Sequence, residues 1–371
     1  MSRLPEKMRK TLERVVNELK AKANVYGVGL FGSWSRSDAT ESSDVDLFVL
    51  SKGDFDYEYV ERLHSSGFFV DLDFVPRKLL HGAIPPEIDQ KLYEMQILYD
   101  RDWLLTNSKL MMVKSYGSPE RVDIRTEAHL INSDIYLSRA TSAFSREDFR
   151  SAYIFAVVAL ENVLGIIADI AMEPFSNSHF IEQMERATAR LDMPGLFHKY
   201  LEISGQNNVE GTGIKDKIRL FKTAWEEISI TTRSSPQRLL SSHFKVRTKL
   251  NYYLNPAFLQ GVILRTSSLI DSEKMIEASH YLTSIFLDIA ENYAWLKSSI
   301  VNFKIDYTTL ICSLKNLEAK NPKNYNRILD LLNLNKVGKA EASDTIAKTR
   351  EAALEIRKDR KVLIKNHLIK S

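Results

Sequence analysis

The hydrophobic periodicity of the chain changes near residue 100, and that change limits the folds open to it. Before it, short apolar runs alternate with helical stretches. Leu12, Val15, Val16 and Leu19 recur at helical spacing from Pro5 to about Lys22. "VYGVGLF" (25–31) reads as a buried strand. "DVDLFVL" (44–50) reads as a second, with Val45, Leu47 and Val49 alternating against Asp44, Asp46 and Phe48. "YEYVERLHSSG" (57–67) reads as a helix closed by Gly67. "FFVDLDFVP" is a third strand stopped by Pro76, "EIDQKLYEM" a helix, and "QILYD" a short fourth strand. After residue 100 the strand signal nearly vanishes. "RTEAHLINSDIYLSRATSAF", "AYIFAVVALENVLGIIADIAM", "HFIEQMERATARL", "SEKMIEASHYLTSIFLDIAENYAWLKSSI" and the tail from Thr345 all carry helical spacing. The expected fold class is α+β: a small mixed β-sheet domain flanked by helices, then an all-α bundle. The boundaries expected are 1–108 for the sheet domain, 109–300 for the bundle and 301–371 for a C-terminal helical extension.

Several function classes are disfavoured by composition. Net charge is +3, from 51 Lys and Arg against 48 Asp and Glu, too balanced to imply nucleic-acid binding by charge. The lone cysteine, Cys312, allows no intramolecular disulfide and reads as a core thiol between Ile311 and Leu314. The most apolar segment (152–172) carries Glu161, Asn162 and Asp169, which suits a buried helix better than a membrane span. No apolar leader core is visible in "MSRLPEKMRKTLERVV", so the expected compartment is the cytoplasm, with no membrane partner. A homodimer is left open.

The chemistry concentrates in "LFGSWSRSDATESSDVDLFVL" (30–50). A strand ends at Phe31 and Gly32 turns the chain. Glycine lets backbone N–H groups approach a phosphate with no Cβ in the way. Ser33 adds a hydroxyl, and free N–H groups at a helix start favour an anion. Residues two apart on a strand point the same way, so Asp44 and Asp46 share a face, with side chains starting roughly 7 Å apart. They can converge on metal ions set roughly 4 Å apart, the spacing of two-metal phosphoryl-transfer sites. The alternative is two solvent-facing aspartates, against which stands the scarcity of Asp in strands. "FFVDLDFVP" offers a third carboxylate, Asp71 or Asp73.

These residues together resemble the nucleotidyltransferase superfamily that includes DNA polymerase β, the CCA-adding enzymes and the aminoglycoside nucleotidyltransferases. The shared motif is an apolar residue, Gly-Ser, a spacer of about ten residues, then Asp-apolar-Asp-apolar. Phe31-Gly32-Ser33, the spacer Trp34 to Ser43, and Asp44-Val45-Asp46-Leu47 match it. The resemblance implies Asp73 as third acid, in "LDFVPRKLL", with Asp71 the alternative. Many minimal members have Arg-Gly where this chain has Arg36-Ser37; the kanamycin-type branch also lacks that glycine. The resemblance implies that Asp44, Asp46 and Asp73 bind two Mg²⁺ ions, and that Gly32, Ser33 and Arg36 hold the triphosphate of an NTP, ATP being the expected one. A hydroxylated acceptor, expected to be a small molecule, would attack the α-phosphorus and release pyrophosphate. AMP transfer to RNA or protein, as in toxin–antitoxin pairs, and a nucleotide-binding module without turnover are the alternatives. Nucleic acid is a less favoured partner.

The helical part resembles the family more loosely. Segment 148–172 is similar to the bundle helix of the kanamycin-type branch, including Glu161 on a face with Ala156, Val157, Leu160 and Leu164. Glu161 is a candidate general base for the acceptor hydroxyl; the alternative is a structural partner for a cation of another helix. Arg238 and His243 resemble the Arg-(four to six)-His pattern of HEPN-type RNases, a spacing frequent by chance. The aromatic runs "NYYLNP" and "ENYAWL" read as core.

Overall fold

The fold is described from a computed structural model, covering residues 5–40, 43–206, 211–302, 306–314 and 322–368. The chain forms two compact units. One comprises residues 1–118 together with 247–265; the other comprises 119–246 and 266–371.

The first unit is built on a five-stranded sheet. Its strands are β1 (Val25–Phe31), β2 (Val45–Ser51), β3 (Tyr59–Ser65), β4 (Phe68–Pro76) and β5 (Gln96–Asp100), in the order β3-β4-β2-β1-β5. Only β2 and β4 pair in parallel, so the sheet is mixed. Alternation gives it two faces. Val45, Leu47, Val49, Val70, Leu72 and Phe74 pack on Met8, Leu12, Val15, Val16 and Leu19 of helix α1 (Glu6–Lys20). The opposite face carries Asp46, Asp71 and Asp73, two residues apart within their strands.

"YEYVERLHSSG" is therefore a strand and a turn, not a helix. Ser66 (φ 53°) and Gly67 (φ 86°) form a two-residue turn that pairs Ser65 with Phe68. Two positive φ values match the right-handed twist of the flanking strands. The glycine marks this hairpin turn and does not stop a helix. The six other expected elements of this region stand, and "QILYD" becomes the fifth strand.

The second unit is helical. Helices α5 (Pro119–Ser145), α6 (Phe149–Ile170) and the last helix (Lys339–Leu368) pack on one another around Leu130, Leu160, Val163, Ile167 and Ile356. Helix α6 is long and apolar enough to cross a membrane, but 78% of its apolar window is buried inside the protein. Its polar residues are all engaged: Asn162 donates to the Val158 carbonyl (2.9 Å), and Asp169 accepts from Arg125 (3.0 Å). Of the loop "SGQNNVEGTG", residues 207–210 lie outside the described set. Cys312 is half-buried between the buried Ile311 and Leu314, so it lies at the rim of the core and not within it.

Lys217, on helix α9 (Gly211–Arg233), is buried, and its ammonium donates to Thr283 (2.7 Å) and Ser279 (3.2 Å) of the long helix Met275–Asn302. Two neutral hydroxyls compensate the lost hydration poorly, and burial lowers its pKa to about 8 from 10.5. Between those values the unfolded chain holds a proton that the folded chain has released. Stability from this group therefore rises with pH across that window, and the full penalty applies below it. Lys217→Met should be more stable than wild type at pH 7, by no more than about 3 kcal/mol. The difference should shrink toward pH 10.5. Urea unfolding of both proteins across this range measures it; a pH-independent difference would show that the ammonium carries no penalty.

Candidate active site

The Gly-Ser turn and the acidic strand are in contact. Phe31 at the end of β1 pairs with Asp46 in β2. Gly32 follows at φ 73°, and a Cβ there would overlap the Asp46 carboxylate. Both the backbone angle and the space demand glycine. Ser33 opens the four-residue helix α2 (Ser33–Arg36), which ends at Ser37 in the left-handed region (φ 70°). For serine, the left-handed angle costs about 1–2 kcal/mol.

Glu94, at the end of the helix Asp89–Glu94, braces this turn. Its carboxylate accepts the Gly32 N–H (2.7 Å) and Arg36 (2.8 Å), and its carbonyl accepts the Ser35 hydroxyl. Arg36 also donates to Asp38 (3.0 Å). Burial works against the Arg36 charge, but Glu94 and Asp38 outweigh it and raise the pKa. Arg36 is thus a half-buried member of the turn, not a free surface residue.

The four aspartates divide by their partners. Asp44 immediately precedes β2, and Asp46 lies within it. The parallel register sets Asp71 level with Asp46, and Asp73 level with Phe48. Asp71 is fully engaged: Arg62 of β3 forks it with two bonds of 2.6 Å, and the Tyr252 hydroxyl donates at 2.8 Å. Arg62 also donates to one oxygen of Asp44, and Arg265 to the other (2.6 Å). Asp73 accepts from Lys91, which also reaches Glu58 (2.6 Å); its Oδ1 is buried with no hydrogen-bond partner. Burial, opposed by Lys91, raises the Asp73 pKa to about 7. For Asp46, burial and then the like charges of Asp71 and Asp44 push the carboxyl well above its usual range.

A cation would relieve both the orphaned Asp73 oxygen and the repulsion around Asp46. The donors Asp44, Asp46 and Asp73 therefore suit a hard divalent ion such as Mg²⁺. Among the described residues no three His, Cys, Asp or Glu side chains converge as a ready-made metal cluster. Asp44 and Asp71 are instead turned toward guanidiniums.

Four participants were not singled out from the sequence: Arg62, Lys91, Glu94 and Arg265. Tyr252, expected in the core, instead touches Asp71. Arg62 faces Asp71 across the hairpin, so counting back from the Ser66-Gly67 turn finds it. Tyr252 and Arg265 arrive from helices Phe244–Tyr253 and Pro256–Asp271, and no local signal ties them to the acids.

Glu161 lies in the helical unit, and its contacts there are specific. It accepts from the buried Tyr200 hydroxyl (2.8 Å) and lies 3.4 Å from His280 Nε2. Burial, and then Glu161 itself, raise the Tyr200 pKa far above normal, so the phenol stays a donor. Arg238 and His243 are both exposed.

Residues 12–102 match the family model of the nucleotidyltransferase domain. A protein of Methanocaldococcus jannaschii, provisionally described as a protein adenylyltransferase, is 42% identical over 50 residues. That match covers 13% of this chain and spans half of the relative's own length, 50%. Among solved structures, a nucleotidyltransferase-like protein from Exiguobacterium sibiricum aligns over 87% of this chain and 90% of that one, at 15% identity and a TM-score of 0.34. Residues 12–102, which hold the Gly-Ser turn against the Asp-x-Asp strand of a mixed sheet, are a nucleotidyltransferase domain.

Proposed function

We propose that the protein transfers a nucleoside monophosphate, AMP, from ATP to a hydroxyl acceptor. The observation that carries this is the contact between Gly32 and Asp46, which sets an anion-binding turn against the metal-binding acids. Gly32, Ser33 and Arg36 hold the triphosphate tail. An acceptor oxygen attacks the α-phosphorus, the α–β phosphoanhydride bond breaks, and pyrophosphate leaves. Two Mg²⁺ ions held by Asp44, Asp46 and Asp73 supply charge neutralisation when bound. The rest is positioning. Glu161 is the proposed acceptor of the hydroxyl proton, a carboxylate that accepts from a phenol and faces an imidazole within the helical unit.

The acceptor in this reading is a small molecule. A protein hydroxyl is the second reading, favoured by the description of the Methanocaldococcus relative. Incubation with α-labelled ATP, Mg²⁺ and fractionated cell extract separates them. Label in the small-molecule fraction supports the first, and label in protein supports the second. No label with any NTP would leave a binding module without turnover.

Asp44→Asn and Asp46→Asn should each abolish transfer per folded molecule; Asp44→Asn also weakens the bonds from Arg62 and Arg265, and Arg62 keeps Asp71. Asp73→Asn should also abolish transfer. Asp71→Asn should instead lower stability by about 3–5 kcal/mol, since it strands the buried Arg62. Parallel activity and unfolding measurements decide the third acid: a stable, inactive Asp71→Asn beside an active Asp73→Asn would exchange their roles.

Glu161→Gln should leave nucleotide binding unchanged and slow turnover by roughly 10²–10⁴. Normal turnover per folded molecule, with a lowered melting temperature, would make Glu161 structural.

A further inference from the structure

The Glu161 carboxylate is held by one of its two oxygens. The Tyr200 hydroxyl, on helix Pro194–Ile203, donates to Oε1 at 2.8 Å. His280 Nε2, on helix Met275–Asn302, lies 3.4 Å from the same Oε1. Among the described residues no group bonds Oε2. Tyr200 is fully buried and the His280 side chain is 6% exposed, whereas that of Glu161 is 24% exposed. The support therefore lies inside the helical unit and the carboxylate at its margin. Phe180 stacks on the imidazole, with centroids 4.5 Å and planes 6° apart, and so fixes the ring plane. Glu277, one turn earlier on the same helix, accepts the backbone N–H groups of Ile181 and Glu182 (3.1 and 3.0 Å). His280 Nδ1 is buried with no hydrogen-bond partner.

That orphaned nitrogen decides where the imidazole carries its proton. Any form with a proton on Nδ1 leaves a buried donor without an acceptor. The Nδ1–H tautomer would also set a lone pair of Nε2 against the Oε1 lone pairs. With the proton on Nε2 both faults disappear. We propose that His280, as the Nε2–H tautomer, is a positioning residue for Glu161: with Tyr200 it pins Oε1, so that Oε2 is the oxygen that takes the proton of the acceptor hydroxyl. The acceptor O–H bond breaks and an Oε2–H bond forms as the acceptor oxygen bonds to the α-phosphorus and pyrophosphate leaves. His280 and Tyr200 keep their own protons throughout. The proton-acceptor half of this proposal rests on the transfer reading; the pinning half rests only on the geometry of the helical unit.

The test has two arms, both on the full chain, with thermal melts to confirm that each variant is folded. The first is nitrogen-15 NMR of histidine-labelled protein, the His280 signals being those lost in His280→Gln. At neutral pH, Nδ1 should be unprotonated and Nε2 protonated, and the Nε2 proton should move upfield in Glu161→Ala. A proton on Nδ1, or an Nε2 proton indifferent to Glu161→Ala, overturns the proposal. The second arm is pyrophosphate release from ATP and Mg²⁺, with the extract fraction that becomes labelled as acceptor source. His280→Leu should slow turnover roughly 10- to 100-fold, with unchanged affinity for α,β-methylene-ATP. His280→Gln, which keeps an N–H at the reach of Nε2, should recover most of that loss. On a Glu161→Gln background, His280→Leu should cost nothing further, because it acts through Glu161. Equal losses in the Leu and Gln variants, or an additive loss in the double variant, overturn the proposal. Normal turnover by Glu161→Gln, or no transfer by any protein, with the proton on Nε2, upholds the pinned carboxylate and instead removes the base reading.

Discussion

One buried guanidinium makes the acidic face of the sheet tenable. Asp44, Asp46 and Asp71 crowd the ends of two adjacent parallel strands, where like charges repel in a poorly hydrated setting. Arg62 enters from the edge strand, directly across from Asp71, and bonds both Asp71 and Asp44. Burial opposes its charge, but Asp71 and Asp44 outweigh burial, so it stays protonated. A buried ion pair is weak evidence for stability in itself. Here its value is geometric, because it fixes the positions of Asp71 and Asp44 at once.

The division of labour among the carboxylates follows from this. Asp71 and Asp73 look interchangeable along the strand, and the register even favours Asp71 by setting it beside Asp46. Their hydrogen bonds differ, and the proposed assignment of Asp73 as third acid rests on that difference. Asp71 is engaged by Arg62 and Tyr252, whereas Asp73 keeps a buried oxygen without a partner. Glu94 plays the matching part on the other side, where a fixed carboxylate sets the Gly32 amide and Arg36 in place. Glu94 on the turn and Arg62 on the acid strands thus each hold several groups in position.

Much of the sheet domain was legible because strand period, Gly-Ser spacing and Asp-x-Asp each have a local cause. The exception is instructive. Tyr59–Ser65 was read as a helix because Gly67 resembles a helix stop, when Ser66-Gly67 is a two-residue hairpin turn. That one error hid Arg62, since a helix would not have set it opposite Asp71. Tyr252 and Arg265 were hidden for another reason. Their link to the acids exists only in the folded chain, across separations of about 180 to 220 residues, where periodicity carries no information. Glu161 was visible as a carboxylate on an apolar helix, but its partners Tyr200 and His280 lie on other helices and leave no mark in its own segment.

The first unit is discontinuous: 1–118 is completed by 247–265, with 128 residues of the helical unit made in between. During synthesis, at roughly 5–20 residues per second, the sheet emerges well before Tyr252, Asn255 and Phe258 exist. For about ten seconds Arg62 lacks two of its three aromatic neighbours, and Asp44 lacks Arg265. The nascent sheet therefore passes through an under-neutralised state exposing apolar surface, which a chaperone could hold. It also means that the natural unit for fusion, truncation or crystallisation cannot be cut after residue 118 without leaving the acid site unfinished.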